Sequence, residues 1–202
     1  MAQRSEPRDS LDDFPTPPWA TRALLNHVIS APFDTLSCLE PACGAGHMAK
    51  VLSERFTSVT ARDVSDYGYG EVQDFLHSTE NEKFDWIITN PPFKLAERFI
   101  EKALRQANMG VACLVRTTFI ESVGRFNRLY SQTPPSIFAQ FVERVPMVKG
   151  RLDKNASTAT GYCWLVWEAD DVSVNPKLVW IPPCRKKLER PNDYGAPQLS
   201  LI

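Results

Sequence analysis

The sequence predicts an α/β fold in which a mostly parallel β-sheet has helices on both faces, the doubly wound or Rossmann-like architecture. Two patterns support this prediction. Apolar strand patterns alternate with amphipathic helical patterns through the first part of the chain, which is typical of parallel sheets built from βαβ units. The last patterns are strands without helices between them, so we expect about seven strands with an antiparallel strand at the end.

Length and composition are those of one globular domain. The chain has 202 residues, of which 43% are hydrophobic and 23% charged, with a formal net charge of −1. We expect a flexible N-terminus over residues 1–13, one domain over residues 14–182 and a basic C-terminal tail over residues 183–202. No apolar stretch is long enough for a membrane span, and the five cysteines form no Cys-x-x-Cys pair. We therefore expect a cytoplasmic protein with no bound metal.

A proline-rich segment precedes the first predicted helix. Phe14, Thr16 and the three prolines between residues 15 and 18 form a stiff, extended stretch. A helix is expected over about residues 19–29, because Leu24 and Leu25 belong to an apolar stripe at helical spacing. The Thr16 hydroxyl suits a cap on a backbone amide at this helix start, and it equally suits a bound ligand.

A glycine-containing turn follows the first predicted strand, residues 36–39. The turn and its flank contain Glu40, Pro41, Gly44 and Gly46. A helix is expected from residue 47 to about residue 55, and a strand, a glycine turn and a helix in succession are typical of nucleotide-binding loops. The third glycine of the dinucleotide fingerprint is replaced by Ala49. The turn contains no Lys, Ser or Thr of the kind that binds phosphate and Mg²⁺ in phosphate-binding loops.

Two acidic positions follow this turn. Asp63 lies near the end of the second predicted strand, residues 58–64, about 20 residues past the first glycine, where a carboxylate accepts ribose hydroxyls in nucleotide-binding folds. Asp74 and Phe75 follow a glycine- and tyrosine-containing loop over residues 66–70. An acidic residue in a loop and an amphipathic turn are the plainer interpretations of these positions.

The central motif is Asn90-Pro91-Pro92-Phe93, which ends a buried strand predicted from the apolar run Trp86-Ile87-Ile88. The two prolines remove backbone donors and end the strand pairing, so Asn90 is held extended at the carboxyl end of a buried strand. The Asn90 side chain and the Pro91 carbonyl offer two acceptors, which suit an amino group, and Phe93 offers a flat face for a planar ring. An exocyclic amine on an aromatic base fits both features, although a plain strand-to-turn junction has the same residues.

The remaining elements complete the sheet. Helical spacing predicts helices over about residues 95–106 and 122–130, and apolar runs predict strands over residues 111–115, 137–142 and 162–167. Residues 178–181 are expected to form an edge strand.

Basic residues concentrate in the second half of the chain. Residues 1–100 contain 9 basic and 15 acidic side chains, whereas residues 101–202 contain 14 basic and 9 acidic ones. A loop over residues 148–161 and the tail contain the candidate phosphate contacts, which are Lys149, Arg151, Lys154, Arg185, Lys186 and Lys187. A solvated hairpin loop and a soluble chain end explain the same residues.

The order of these motifs resembles that of the class I S-adenosylmethionine (SAM)-dependent DNA adenine-N6 methyltransferases, in the phage or orphan type with an Asn-Pro-Pro-Phe motif. The resemblance extends over about residues 12–168 and implies a class I methyltransferase fold with SAM as cofactor. It implies that the Phe14–Thr16 segment lies across the methionine end of SAM, where the Thr16 hydroxyl donates to the carboxylate. It also implies that Glu40, in the Glu40-Pro41 pair, accepts from the ammonium group.

The same resemblance assigns the rest of the site. Asp74 would accept from the adenine amino group of the cofactor, and the Phe75 ring would pack on that adenine. Asn90 and the Pro91 carbonyl would accept from the N6 amine of a flipped adenine, and Phe93 would stack on it.

The expected partner is DNA, with RNA as an alternative, and the expected state is a monomer or weak dimer. The chain lacks room for a separate recognition domain, so we expect a short recognition site or weak sequence preference. Methyl transfer to an RNA adenine or guanine, or to a protein glutamine, also uses an Asn-Pro-Pro motif with an aromatic residue. A catalytically silent protein that only binds SAM is the alternative from a different functional class.

Overall fold

The fold is a single mixed sheet with helices on both faces. The computed structural model describes residues 12–78, 82–171 and 173–194. In this part of the chain the strands are β1 Ser37–Glu40, β2 Ser58–Asp63, β3 Glu71–Val72, β4 Phe84–Thr89, β5 Ala107–Arg116, β6 Ile137–Phe141, β7 Tyr162–Glu168 and β8 Lys177–Ile181. The helices are α1 Pro18–His27, α2 His47–Leu52, α3 Ala96–Gln106, α4 Val123–Arg125 and α5 Arg185–Leu188, with a π-helix over Phe126–Tyr130.

Strand order confirms the predicted fold class. The eight strands follow the order β3-β2-β1-β4-β5-β7-β6-β8. Neighbouring strands from β3 to β5 are parallel, and β7 is antiparallel to both β5 and β6. The expected edge strand is β8, which pairs with β6 in parallel. The strand order reverses between β1 and β4, because β2 and β3 lie on one side of β1, whereas β4 and β5 lie on the other. In open α/β sheets, ligands bind at such a switch point, outside the carboxyl ends of the strands.

The two faces of the sheet build two apolar cores. On β4, Trp86 and Ile88 belong to the core that contains α1 and α2, whereas Ile87 belongs to the core that contains α3. Strand residues alternate between faces, so β4 is buried on both sides and has a continuous apolar sequence. The five cysteines are free and buried, and Cys38, Cys113, Cys163 and Cys184 belong to these cores.

Several predicted elements differ from the structure: α2 ends at Leu52 and not near residue 55, and the two-residue strand β3 was not predicted. We expected the strand after α3 to begin at residue 111, but β5 already begins at Ala107. Gly110 is therefore inside the strand, where a Cβ would lie 2.6 Å from the Trp86 indole. The glycine permits close strand packing and does not end the helix. The predicted helix over residues 122–130 is divided into α4 and the π-helix.

The chain ends differ in how far the structure describes them. Residues 1–11 of the predicted flexible N-terminus and residues 195–202 of the predicted tail lie outside the described residues. The described part of the tail packs on α1, where the Arg22 guanidinium donates to Glu54 and Asp193. No helix in the described part of the chain has both the length and the apolar character needed to cross a bilayer.

Candidate active site at the carboxyl ends of the strands

A cleft lies where β1, β2 and β4 end, and we call it the first cleft. It encloses about 600 Å³ of empty space, which includes its open mouth. Its walls include the predicted site residues Phe14, Thr16, Glu40, Gly44, Asp63, Asn90 and Pro92. The segment of residues 12–16 forms one wall, and the glycine turn between β1 and α2 forms another.

The glycine turn is fixed by the carboxylate at the end of β2. The Gly44 backbone N–H donates to Asp63 Oδ2 at 2.9 Å, and the Ser65 N–H donates to Asp63 Oδ1 at 3.1 Å. Gly44 and Gly46 both have positive φ angles, of 50° and 78°, which side chains with a Cβ rarely adopt. A Cβ on Gly46 would also lie 2.3 Å from the Tyr69 ring. Gly46 and Pro41 are both buried, and neither lines the first cleft.

Four acidic residues, Asp12, Asp13, Glu40 and Asp63, line the first cleft. Glu40 is only 2% exposed, and its Oε2 atom is buried without a hydrogen-bond partner among the described residues. Burial raises the pKa of the Glu40 carboxyl well above its usual range, the nearby Asp63 raises it further, and the Ala49 N–H acts in the opposite direction. Burial and Asp63 also raise the pKa of Asp13. An acidic, desolvated cleft suits a cationic ligand.

Asn90 lines the first cleft, and within the described part of the chain its side-chain amide is hydrogen-bonded on one side only. Its Nδ2 atom donates to the Phe14 carbonyl at 2.8 Å and contacts the Met147 sulfur at 3.7 Å. Its Oδ1 atom is buried and has no hydrogen-bond partner among the described residues, as is also true of Thr16 Oγ1. The donor side of the amide is therefore used, whereas the acceptor side has no partner among the described residues.

Phe93 lies beside a second cleft, which encloses about 530 Å³. The Phe93 backbone N–H donates to Asp12 Oδ2 at 2.8 Å, and its ring packs 5.1 Å from the Phe14 ring. The Arg116 guanidinium lies over the Phe93 ring at 4.0 Å. The second cleft is lined by Phe93, Ala96, Val115, Arg116, Thr118, Phe119, Glu121 and Arg125. Pro91, which follows Asn90 in the motif, is buried and lines neither cleft.

Asp74 and Phe75 are not among the residues that line the first cleft. Asp74 Oδ1 accepts from the Leu76 N–H at 2.8 Å, and Oδ2 contacts His77 Nδ1 at 2.7 Å. These contacts lower the pKa of Asp74, although partial burial opposes them. Phe75 is buried in the core against Phe99, with ring centres 5.1 Å apart. The structure therefore places both residues in a turn just after β3, and their cofactor roles stay predictions.

The six predicted phosphate contacts lie on a basic loop and on α5. Arg185 Nη2 donates to the Lys154 carbonyl at 2.6 Å, which brings the loop and the tail together. Lys154, Lys186 and Lys187 are exposed. Arg151 pairs with Asp153 at 3.3 Å, and Arg185 pairs with Glu189 at 2.7 Å. The other end of the loop reaches the first cleft, because the Gly150 N–H donates to the Asp13 carbonyl and Lys149 lies near the Asp13 carboxyl.

Several site residues have no clear signal in the sequence. Asp12, Met147 and Arg116 contact the Asn-Pro-Pro-Phe motif from positions 81, 57 and 23 residues away. Such contacts depend on which elements become neighbours in the sheet, and no local spacing reports this. For Asp12 and Asp13, their place directly before the Phe14–Thr16 segment is the available hint.

Comparisons with solved structures bear on the fold. A Listeria monocytogenes protein assigned as a class I SAM-dependent methyltransferase aligns with a TM-score of 0.55 at 15% identity, over 81% of this chain and 62% of that one. A Vibrio vulnificus protein assigned as the modification subunit of a type I restriction enzyme aligns with a TM-score of 0.59 at 14% identity, over 91% of this chain and 50% of that one. This chain thus spans about half to two thirds of the length of those two proteins.

A third solved structure, a Pyrococcus horikoshii protein assigned as an RNA methyltransferase, aligns with a TM-score of 0.57 at 14% identity, over 83% of this chain and 92% of that one. The chain has the methyltransferase-like Rossmann fold. No protein-family model matches the sequence, and no curated protein matches it in sequence. At these identities the likeness shows the fold, while the chemistry has to be argued from the two clefts.

Proposed function

We propose that this chain is a SAM-dependent methyltransferase that transfers a methyl group to the exocyclic N6 of adenine in DNA. The observation that supports this most strongly is the Asn90 carbonyl oxygen. It is buried and unpaired among the described residues, and it lies at the wall of an acidic cleft on a methyltransferase-like fold. An unpaired buried acceptor is costly unless a ligand satisfies it.

The groups around the first cleft fit SAM. Glu40 would accept from the ammonium, Thr16 would donate to the carboxylate, and Asp63 would accept from the ribose hydroxyls. The unpaired Glu40 Oε2 and Thr16 Oγ1 atoms are consistent with these roles. Bound there, SAM would supply a methyl group on a sulfonium sulfur, which is already an activated donor. SAM has a net positive charge, so the acidic walls favour it over a phosphate-containing nucleotide.

The chain's own residues would position the acceptor nitrogen. Asn90 Oδ1 and the Pro91 carbonyl would each accept an N–H of the adenine N6 amine, and this would direct the nitrogen lone pair toward the methyl group. Phe93 would stack on the flipped base, a contact that contributes about 1–3 kcal/mol in other base-binding sites. Positioning of this kind supplies much of the acceleration when the donor is already activated.

The basic loop and α5 support a nucleic-acid substrate. The loop begins beside Asp13 at the first cleft and reaches α5 through the hydrogen bond between Arg185 and the Lys154 carbonyl. We propose that the exposed Lys154, Lys186 and Lys187 contact phosphates along this path. Lys149, Arg151 and Arg185 would support the same path, although the latter two also pair with carboxylates of the chain.

We propose that the recognition site is short. The described residues form one sheet with its helices, and the basic loop with α5 is the segment we propose for base readout. Sequencing of genomic DNA from cells that express the chain should show N6-methyladenine at a short or degenerate motif. Methylation confined to one motif of about six or more base pairs, each read by its own contacts, would contradict the proposal.

RNA is the second candidate substrate, and the likeness to the Pyrococcus horikoshii protein favours keeping it in the test. The decisive experiment incubates the protein with SAM labelled in its methyl group and with DNA, RNA or glutamine-containing protein in parallel, and then identifies the modified nucleoside or residue. The proposal predicts N6-methyladenine in DNA. Label confined to RNA or protein would overturn the DNA assignment, and SAM binding without transfer to any substrate would indicate a silent binding protein.

A further inference from the structure

Arg116 is a half-buried cation that has no carboxylate partner in the part of the chain that the structure describes. It ends β5, and its Nε atom is buried without a hydrogen-bond partner among the described residues. Its contacts there are with rings, at 4.0 Å from the centre of Phe93 and 6.0 Å from the centre of Phe14. A buried polar group without a partner needs an explanation, because it loses hydration without a replacement.

The Arg116 backbone is fixed, whereas its side chain is weakly held. Arg116 is in register with Tyr162 in the antiparallel β5–β7 pair, and the next N–H, that of Thr117, donates to the Gly161 carbonyl at 2.9 Å. The guanidinium itself rests on the Phe93 ring, an interaction of about 0.5–1 kcal/mol at accessible sites. The side chain can therefore swing away without any change in the sheet.

The guanidinium occupies the place where a planar ligand would stack. Phe93 and Arg116 line the same second cleft, and Arg116 lies over the Phe93 ring inside it. The cleft also contains the Phe119 ring, on which Arg125 stacks at 3.8 Å. A flat, polar guanidinium over an aromatic face has the shape and stacking preference of a small heteroaromatic ring. A base that enters the second cleft to stack on Phe93 has to displace it.

We infer that Arg116 is a displaceable cover on Phe93, an inference that rests on the proposed function of the site. In the free protein its guanidinium holds the stacking position on Phe93. When a nucleobase takes that position, the guanidinium moves to a phosphate of the same nucleic-acid strand, which provides the partner that its Nε–H lacks. Arg116 is thus a positioning residue that couples base entry to a phosphate contact.

Two variants of Arg116 separate the two parts of this role. Arg116→Ala removes both the cover and the charge, whereas Arg116→Lys keeps the charge and removes the planar group. The matched control is Arg55→Ala, because Arg55 lies over the Phe33 ring at 5.2 Å near the amino end of β1, away from both clefts. Circular dichroism melts of the full chain establish that each variant is folded.

The first measurement is a fluorescence titration with 2-aminopurine riboside, which needs no turnover. Without the stacked guanidinium, Arg116→Ala and Arg116→Lys should bind the nucleoside at least about threefold more tightly than the wild type, and Arg55→Ala should match the wild type. Equal nucleoside affinity of the wild type and both Arg116 variants would show that Arg116 does not compete with a base for the Phe93 ring. Because no methyl transfer is involved, this result is independent of the outcome of the labelled-SAM experiment.

The second measurement is the salt dependence of binding to a labelled duplex of mixed sequence. Loss of one phosphate contact flattens the slope of log K against log salt by about 0.9. Arg116→Ala should show this change, and Arg116→Lys and Arg55→Ala should retain the wild-type slope. An unchanged slope in Arg116→Ala would show that Arg116 does not contact a phosphate in the complex. A wild type that binds the nucleoside but methylates no nucleic acid would instead overturn the proposed function.

Discussion

Asn90 uses the two ends of one amide for different purposes. Its NH₂ group donates to the Phe14 carbonyl, which fixes the orientation of the side chain, and its oxygen has no partner among the residues that the structure describes. Phe93 is fixed in a similar manner, because its backbone N–H donates to the Asp12 carboxylate. The acceptor and the stacking ring are therefore both positioned by the segment that also forms a wall of the first cleft.

Replacement of Asn90 tests the acceptor directly. Asn90→Ala should lower the rate of methyl transfer by at least about 100-fold, the effect of losing one positioned hydrogen-bonding group in other active sites. SAM affinity by calorimetry should change little, since Asn90 is expected to bind the acceptor amine. Asn26→Ala, at the exposed end of α1, is the control. Comparable transfer by Asn90→Ala and Asn26→Ala would refute the role of Asn90.

We expect the protonation of Glu40 to make both folding stability and SAM affinity depend on pH. Its raised pKa means that the folded state binds more protons than the unfolded state at pH values above the ordinary 4.5. Stability without a ligand should therefore fall as pH rises through this window, until Glu40 is ionised in the folded state. An ammonium group pairs with the ionised form, so SAM affinity should rise over the same window.

Glu40→Gln should remove both trends. The free energy of unfolding, from urea titrations at several pH values, should fall less with rising pH. SAM affinity at neutral pH should fall about tenfold or more, because a charge-assisted hydrogen bond is lost. Asp66→Asn, in an exposed loop, is the control. Unchanged SAM affinity in Glu40→Gln would show that this carboxylate does not bind the ammonium group.

At the scale of elements, local signals predicted every described strand except β3, and they also predicted the glycine turn and the carboxyl-end positions of Asp63 and Asn90. These features depend on neighbours in sequence, such as the prolines that end β4. Contacts such as that of Asp12 with the Phe93 N–H depend on strand order and had no signal. In the Asp74–Phe75 turn, the same residues satisfy local backbone hydrogen bonds and core packing, so the local pattern does not distinguish a cofactor contact from a turn.

The turn between β1 and α2 provides a test of the element itself. Gly46→Ala should lower the free energy of unfolding by about 1–3 kcal/mol more than Gly68→Ala, and it should weaken SAM binding. Both glycines have positive φ angles, of 78° and 74°, so the backbone strain is matched. A Cβ at Gly46 would meet the Tyr69 ring at 2.3 Å, whereas one at Gly68 would have no atom within 4 Å. Equal destabilisation of the two variants in urea titrations would contradict this packing.

At the scale of the whole molecule, the C-terminal segment is attached to the helices on one face of the sheet. Arg22 donates to Glu54 and Asp193 at 2.8 Å, and Arg190 also pairs with Glu54 at 2.8 Å. The side chains of Arg22 and Asp193 are only 8% and 5% exposed. This attachment holds α5 and its basic residues beside the loop that reaches the first cleft.

Removal of Arg22 tests this attachment. Arg22→Met should lower the free energy of unfolding by about 3–5 kcal/mol, because it leaves the buried Asp193 carboxylate without its cation. Arg151→Ala breaks an exposed pair with Asp153 and should lower it by less than about 1 kcal/mol. Urea titrations compare the two. Similar small losses would mean that the segment is not held by the Arg22 contacts.

A crystal structure with sinefungin, a stable analogue of SAM, tests the central claim most directly. The account predicts the analogue in the first cleft, with its ammonium group at Glu40, its ribose at Asp63 and its transferable position facing Asn90 Oδ1. An analogue bound elsewhere, or an Asn90 oxygen turned into a hydrogen bond within the protein, would contradict it.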